Sequence, residues 1–128
     1  MSTQIKTFED LDVWKICKNL RIKISRIVKM FPAAERFRLG DQIIRAARSV
    51  TANIAEGYGR FYYQENIQFC RQARGSLYEL LDHLTTALDE KYIDQKVFED
   101  IRTDILRAVS IVNGYIRYLN KAKETDGC

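Results

Sequence analysis

The sequence predicts an all-α protein, an antiparallel up-down-up-down four-helix bundle. Three observations carry that expectation. The chain has 128 residues with a single proline and six glycines, so long stretches run without a helix breaker. Apolar residues recur at three-to-four spacing in four separate stretches, the mark of a helix with one buried face. The connections between those stretches are short, which makes consecutive helices antiparallel neighbours. A chain of this length forms one domain and buries its own core. Hydrophobic residues at 46% and charged residues at 30% fit a soluble globular protein.

The first helix is expected over 8–30. At about 100° per residue, Val13, Ile16, Cys17, Leu20, Ile24, Ile27 and Phe31 share one face. Between Trp14 and Ala34 stand six bases, Lys15, Lys18, Arg21, Lys23, Arg26 and Lys29, and no acid. Lys15, Lys18, Arg26 and Lys29 lie opposite the apolar stripe, with Ile22 among them. Such a row suits a polyanion or an acidic partner, and equally makes a solvated helix surface. The acids Glu9, Asp10 and Asp12 sit at the N-terminal end, where they complement the helix dipole. Phe31-Pro32 ends the helix, because the residue before proline is pushed out of helical geometry.

A loop over 32–37 leads to a second helix over 39–56, with Leu39, Ile43, Ala47, Val50 and Ile54 inward. Its small residues (Ala46, Ala47, Ser49, Ala52, Ala55) admit a close neighbour, and Gly57 and Gly59 stop it. A second face carries Gln42, Arg45, Ser49, Asn53 and Glu56, with Arg48 at its edge. Short polar groups interleaved with arginine form either a hydrogen-bonded network or a surface that reads phosphates. The third helix, over 64–89, buries Phe69, Ala73, Leu77, Leu80, Leu84 and Leu88. Gly75 inside it costs about 1 kcal/mol relative to alanine and predicts tight packing there. Asp94 is a candidate N-cap for the fourth helix over 94–119. Phe98, Ile101, Ile105, Ala108, Val112, Ile116 and Leu119 face inward, and 120–128 forms a polar, disordered tail.

Net charge is +4, compatible with nucleic acid and too small to demonstrate it. Three cysteines without C-x-x-C spacing speak against a disulfide framework and a zinc site. Cys17 and Cys70 fall in apolar stripes as buried thiols, and Cys128 ends the tail. With no membrane span or signal segment, cytoplasmic residence is expected. His83 is the only histidine, and a di-metal bundle needs two Glu-x-x-His pairs with further carboxylates. Ser49 and Ser76 lack a histidine to activate them, and no phosphate-cradling glycine loop is present. No catalytic residue, metal or cofactor is therefore expected. Glu56 and Glu79 are read as structural ion pairers, Glu56 with Arg45, Arg48 or Arg74 as its partner. Trp14 is read as a core or interface anchor.

Several blocks carry a resemblance. They are Phe8-Glu-Asp-Leu-Asp-Val-Trp14, Phe31-Pro32 with Glu35, Gln42-Ile-Ile-Arg-Ala-Ala-Arg-Ser-Val50, Asn53-Ile-Ala-Glu-Gly57 and Ala73-Arg-Gly-Ser-Leu-Tyr-Glu-Leu80. In that order the chain resembles the bacterial 23S rRNA intervening-sequence protein family over roughly residues 8 to 120. The resemblance implies an up-down bundle assembled as a homopentameric ring, without catalytic activity. A related member, the accessory variability protein of diversity-generating retroelements, partners a reverse transcriptase and nucleic acid. The segment Tyr58-Gly59-Arg60-Phe61-Tyr62-Tyr63 departs from the family pattern, with four aromatics and an arginine in six residues. Such a loop either stacks unpaired bases or forms a packing or subunit contact.

Two functions follow. The first is a non-enzymatic oligomeric scaffold that contacts RNA or DNA phosphates through Lys15, Lys18, Arg26, Lys29, Arg45, Arg48 and Arg60. Gln42, Ser49, Asn53, Glu56, Arg74 and Glu79 then form a structural network or interface. The alternative is a protein-interaction module that docks a partner such as a polymerase.

Overall fold

In the computed structural model, which describes residues 4–126, four long helices and one single-turn helix account for most of the chain. They are α1 (Asp12–Val28), α2 (Ala33–Arg36), α3 (Leu39–Tyr58), α4 (Tyr63–Asp89) and α5 (Gln95–Asp126). No strand occurs among the described residues. The four long helices form a bundle: α1 packs on α3 and α5, and α4 packs on the same two. Ile24, Ile43, Ile54, Leu77, Leu84, Ile101 and Ile105 lie at its centre, fully buried. Their helical spacing places them on inward stripes; Phe69, expected on the α4 stripe, is instead half-buried, and Ile67 takes a fully buried place.

The first helical stretch is interrupted near its start. Phe8–Asp10 is a separate 3-10 turn. The Thr7 hydroxyl accepts from the Glu9 amide at 3.1 Å, and the Asp10 carboxylate accepts from the Lys6 and Thr7 amides. These caps satisfy the turn by itself, and Leu11 leaves it in extended geometry before α1 begins. Those backbone amides hold the Asp10 carboxyl below its ordinary range. Beyond Pro32 the expected loop contains the single turn α2, whose N-cap is Pro32 itself.

Gly59 ends α3 as its C-cap, as expected, whereas Gly57 and Gly75 depart from expectation. Gly57 does not stop the second long helix, which runs through it to Tyr58. A Cβ at Gly57 would stand 2.9 Å from Phe69 Cβ and 3.1 Å from the Asn66 carbonyl oxygen. The close approach of α3 and α4 is therefore here. Gly75 is exposed, with nothing within 4 Å of a Cβ built on it, so the tight packing expected there is absent.

Asp94 caps α5 as expected, its Oδ1 accepting from the Val97 amide at 2.8 Å. The α5 helix then continues to Asp126, where a disordered tail was expected from residue 120. Its last turns are tied to the start of α4: Lys123 Nζ donates to Gln64 Oε1 at 2.5 Å, and Tyr63 OH donates to Asp126 Oδ2 at 2.9 Å. Cys128 lies outside the described residues.

Candidate nucleic-acid interface

The outer face of α1 carries Lys15, Lys18, Arg26 and Lys29, all exposed. None of the four forms an ion pair among the described residues. Lys18 Nζ stands 5.6 Å from the centroid of the Trp14 ring, a cation–π distance that orients the ammonium. Trp14 itself packs on the core and meets Phe8 edge to face at 5.1 Å. Ile22 is also exposed within the row, at 38%.

The other two α1 bases turn toward neighbouring helices. Lys23 reaches α5, its Nζ 2.6 Å from Asp100 Oδ2 and 2.5 Å from Asp104 Oδ2. These hydrogen bonds push the Lys23 ammonium above its ordinary pKa. Arg21 reaches α3, where its Nη1 donates to Thr51 Oγ1 at 2.8 Å.

On α3, Arg45 and Arg48 are exposed. Arg45 pairs with Asp41 one turn back at 3.0 Å. Arg48 forms no ion pair among the described residues and lines a groove together with Arg21, Ile22, Ser25 and Ile44. Arg48 therefore joins the basic face of α1. Arg60 does not: it lies beyond α3, its guanidinium 3.3 Å from Glu56 and 3.7 Å from Glu65. It also stands 4.9 Å over the Phe69 ring. Two carboxylates offset its charge where a free phosphate contact was expected.

The second polar face of α3 divides. Ser49 Oγ and Ser76 Oγ are 2.9 Å apart, and Asn53 Nδ2 donates to Ser49 Oγ at 3.0 Å. These three make a small network across α3 and α4. Gln42 is exposed. Glu56 pairs with Arg60 rather than Arg45, Arg48 or Arg74, because the chain leaving α3 brings the residue four positions on back beside it. Arg74 instead donates to Asn113 Oδ1 at 2.7 Å, joining α4 to α5. Glu79 meets His83 at 3.2 Å on its own helix. Among the described residues, no group of three or more His, Cys, Asp or Glu stands ready to hold a metal.

The aromatic segment after α3 gathers around a cleft of about 280 Å³ at one end of the bundle. Tyr58, Phe61, Tyr62 and Tyr63 face Tyr115 and Tyr118 of α5 across it. Phe61 is 91% exposed. Below the rim, Asn66 Nδ2 donates to Tyr115 OH at 3.4 Å, and burial pushes the Tyr115 phenol up to about 12. The part played by α5 in this cleft is not readable from the loop sequence, since it depends on which helix ends meet.

The class is thus an all-α bundle protein, and among its described residues no helix is long and apolar enough to cross a membrane. Residues 9–114 match the family model of the 23S rRNA-intervening sequence protein, and the chain belongs to that family. A search of curated proteins returns no match. Among solved structures, the chain is similar to a protein with unknown function from the S23 ribosomal protein family of Bacteroides thetaiotaomicron VPI-5482. The two are 21% identical with a TM-score of 0.75, over 81% of this chain and 97% of the other. That likeness concerns the fold.

Proposed function

We propose that the protein is a non-enzymatic, homo-oligomeric scaffold that binds RNA or another nucleic acid through the basic face of α1 and α3. The observation that carries this reading is the exposed row Lys15, Lys18, Arg26 and Lys29, unpaired with any described carboxylate and continued by Arg48. Such a row contacts phosphates at successive positions along a backbone and positions the ligand without reading its sequence. Arg45 extends the face, although Asp41 holds part of its charge. Arg60 contributes less, for the reason given above.

The reading takes the bundle as antiparallel, up-down-up-down. Interhelical pairs support it: Gln64 pairs with Lys123 and Arg74 with Asn113, so later positions on α4 meet earlier ones on α5. It takes the assembly as a pentameric ring, as the family resemblance implies, and its setting as the cytoplasm. A ring repeats each basic patch, so modest contacts gain through multivalency.

Replacing Lys18, Arg26 and Lys29 together with Glu tests the proposal, with a structured RNA as ligand and circular dichroism as the fold control. Binding is expected to vanish while helicity stays. Undiminished affinity in the folded triple variant would rule this face out. The aromatic cleft favours a second reading, a module that docks a protein such as a polymerase, because Tyr-rich exposed clefts are typical of interfaces. Protein partners that survive nuclease treatment in a pull-down, and vanish with Phe61→Ala, would support that reading instead.

A further inference from the structure

We propose that the groove between α1 and α3 seats a phosphate group between the guanidinium groups of Arg21 and Arg48. For its natural ligand, a phosphodiester of the bound strand, this rests on the nucleic-acid reading above. It adds a side chain, Arg21, that the exposed row does not contain.

The groove holds about 170 Å³. Two cations line it and no acid does. Arg21 is half-buried, and a cation withdrawn from water ordinarily has a carboxylate beside it, because desolvating a lone charge is costly. Lys23, on the opposite flank of the same helix, has two such carboxylates. Arg21 has none among the described residues; its anchor is the neutral hydroxyl of Thr51 at 2.8 Å. Thr51 is buried, at 3% exposure, and its own hydroxyl donates to the Arg48 carbonyl oxygen at 3.2 Å.

That anchor has a chemical consequence. A guanidinium carries five N–H donors in a rigid fork, and Thr51 occupies one of them. The rest remain for an oxyanion, and a side chain already held in place loses little freedom on binding one. Ser25 lines the same groove and brings a hydroxyl donor. Ile22 and Ile44 form apolar walls, which lower the local dielectric and strengthen charge-assisted hydrogen bonds. A carboxylate of an acidic peptide has related chemistry. Phosphate is favoured because Lys18, Arg26 and Lys29 lie on the outer face of the same helix, so the positive field continues past one charge as a nucleic-acid backbone requires.

The test titrates a fluorescein-labelled RNA hairpin into the full chain at several salt concentrations, for wild type, Arg48→Gln, Arg21→Gln and Thr51→Val, each checked by thermal unfolding. Arg48 is exposed, so Arg48→Gln is expected to unfold as wild type does. It should bind about tenfold more weakly, with the slope of log affinity against log salt reduced by about 0.9. Arg21→Gln should lose a similar slope, and Thr51→Val should weaken binding with its slope unchanged. In parallel, pyrophosphate is titrated against the arginine Nε–Hε resonances of ¹⁵N-labelled protein; those of Arg21 and Arg48 should move and those of Arg60 should not. Wild-type affinity and slope in folded Arg48→Gln and Arg21→Gln would overturn the seat and leave the lysine row standing. Absence of RNA binding by wild type would overturn the nucleic-acid reading, and the pyrophosphate arm would then judge the groove alone. Unmoved Arg21 and Arg48 resonances there would overturn it. A poly-glutamate peptide that shifts them more strongly than pyrophosphate would assign the groove to an acidic protein segment.

Discussion

Lys91 is the one non-glycine residue with positive φ among those described, at 65°. It follows α4, where the Tyr92 amide donates to the Ala87 carbonyl at 2.8 Å and the Lys91 amide to the Leu88 carbonyl at 3.0 Å. This is the Schellman pattern, in which glycine is the usual residue at the left-handed position. The left-handed geometry costs a side chain about 1–2 kcal/mol, partly returned by the smaller unfolded-state entropy of lysine. Lys91→Gly should therefore stabilise the protein by roughly 1 kcal/mol, read as a higher urea midpoint at unchanged slope. The helical glycines separate in the same way. Gly75→Ala should stabilise by about 1 kcal/mol, since it removes a flexible residue from an open helix surface. Gly57→Ala should destabilise by about 2 kcal/mol, because the new methyl meets the Asn66 backbone and Phe69.

At the scale of elements, the long helices are held by their apolar stripes and by a few polar cross-links. Lys23 bridges two carboxylates of α5 and also relieves the repulsion between them. The site is partly exposed, so Lys23→Gln should cost only about 1 kcal/mol, and less at high salt. Removing core volume costs more: Leu84→Ala, at a fully buried position of α4, should lose about 2–5 kcal/mol in denaturant unfolding. The stripes were legible from spacing alone. The junctions were not, because three-residue segments such as Phe8–Asp10 are decided by side-chain caps that compete with helix continuation. The end of α5 was missed for a related reason. Its last turns are polar, and their partners Gln64 and Tyr63 lie about sixty residues earlier in the chain.

Across the whole molecule, titration of buried groups sets the response to alkali. Burial pushes the Cys17 and Cys70 thiols up to about 12 from 9.0, and the Tyr115 phenol to about 12 from 10.0. Below pH 9 these groups are protonated both folded and unfolded, and they do not change stability. Above it the unfolded chain releases protons that the folded chain keeps, so the unfolded state gains. The melting temperature should fall as pH rises from 9 toward 12, and Cys17→Ala/Cys70→Ala should show a shallower fall. Both thiols should resist alkylation at pH 8 in the native protein, since the thiolate is the reactive form. For the proposed ring, light scattering should give five times the 15.0 kDa chain mass. A monomer mass would overturn the pentamer and its multivalency together.

The sequence by itself determined the helical class, most of the core residues and the row Lys15, Lys18, Arg26 and Lys29, because helical periodicity is local and assigns each side chain to a face. It also carried the family, in blocks spread along most of the chain. Only the tertiary structure decided which helix flanks lie beside one another. That pairing withdrew Lys23 to Asp100 and Asp104 and set Arg21 against Thr51 beside Arg48, and with the turn into α4 it left Arg60 between Glu56 and Glu65. It also moved the tight glycine contact from Gly75 to Gly57. The physical reason is common to all four: a charge or a close approach is settled by the groups that face it in space, and those lie on other turns or other helices.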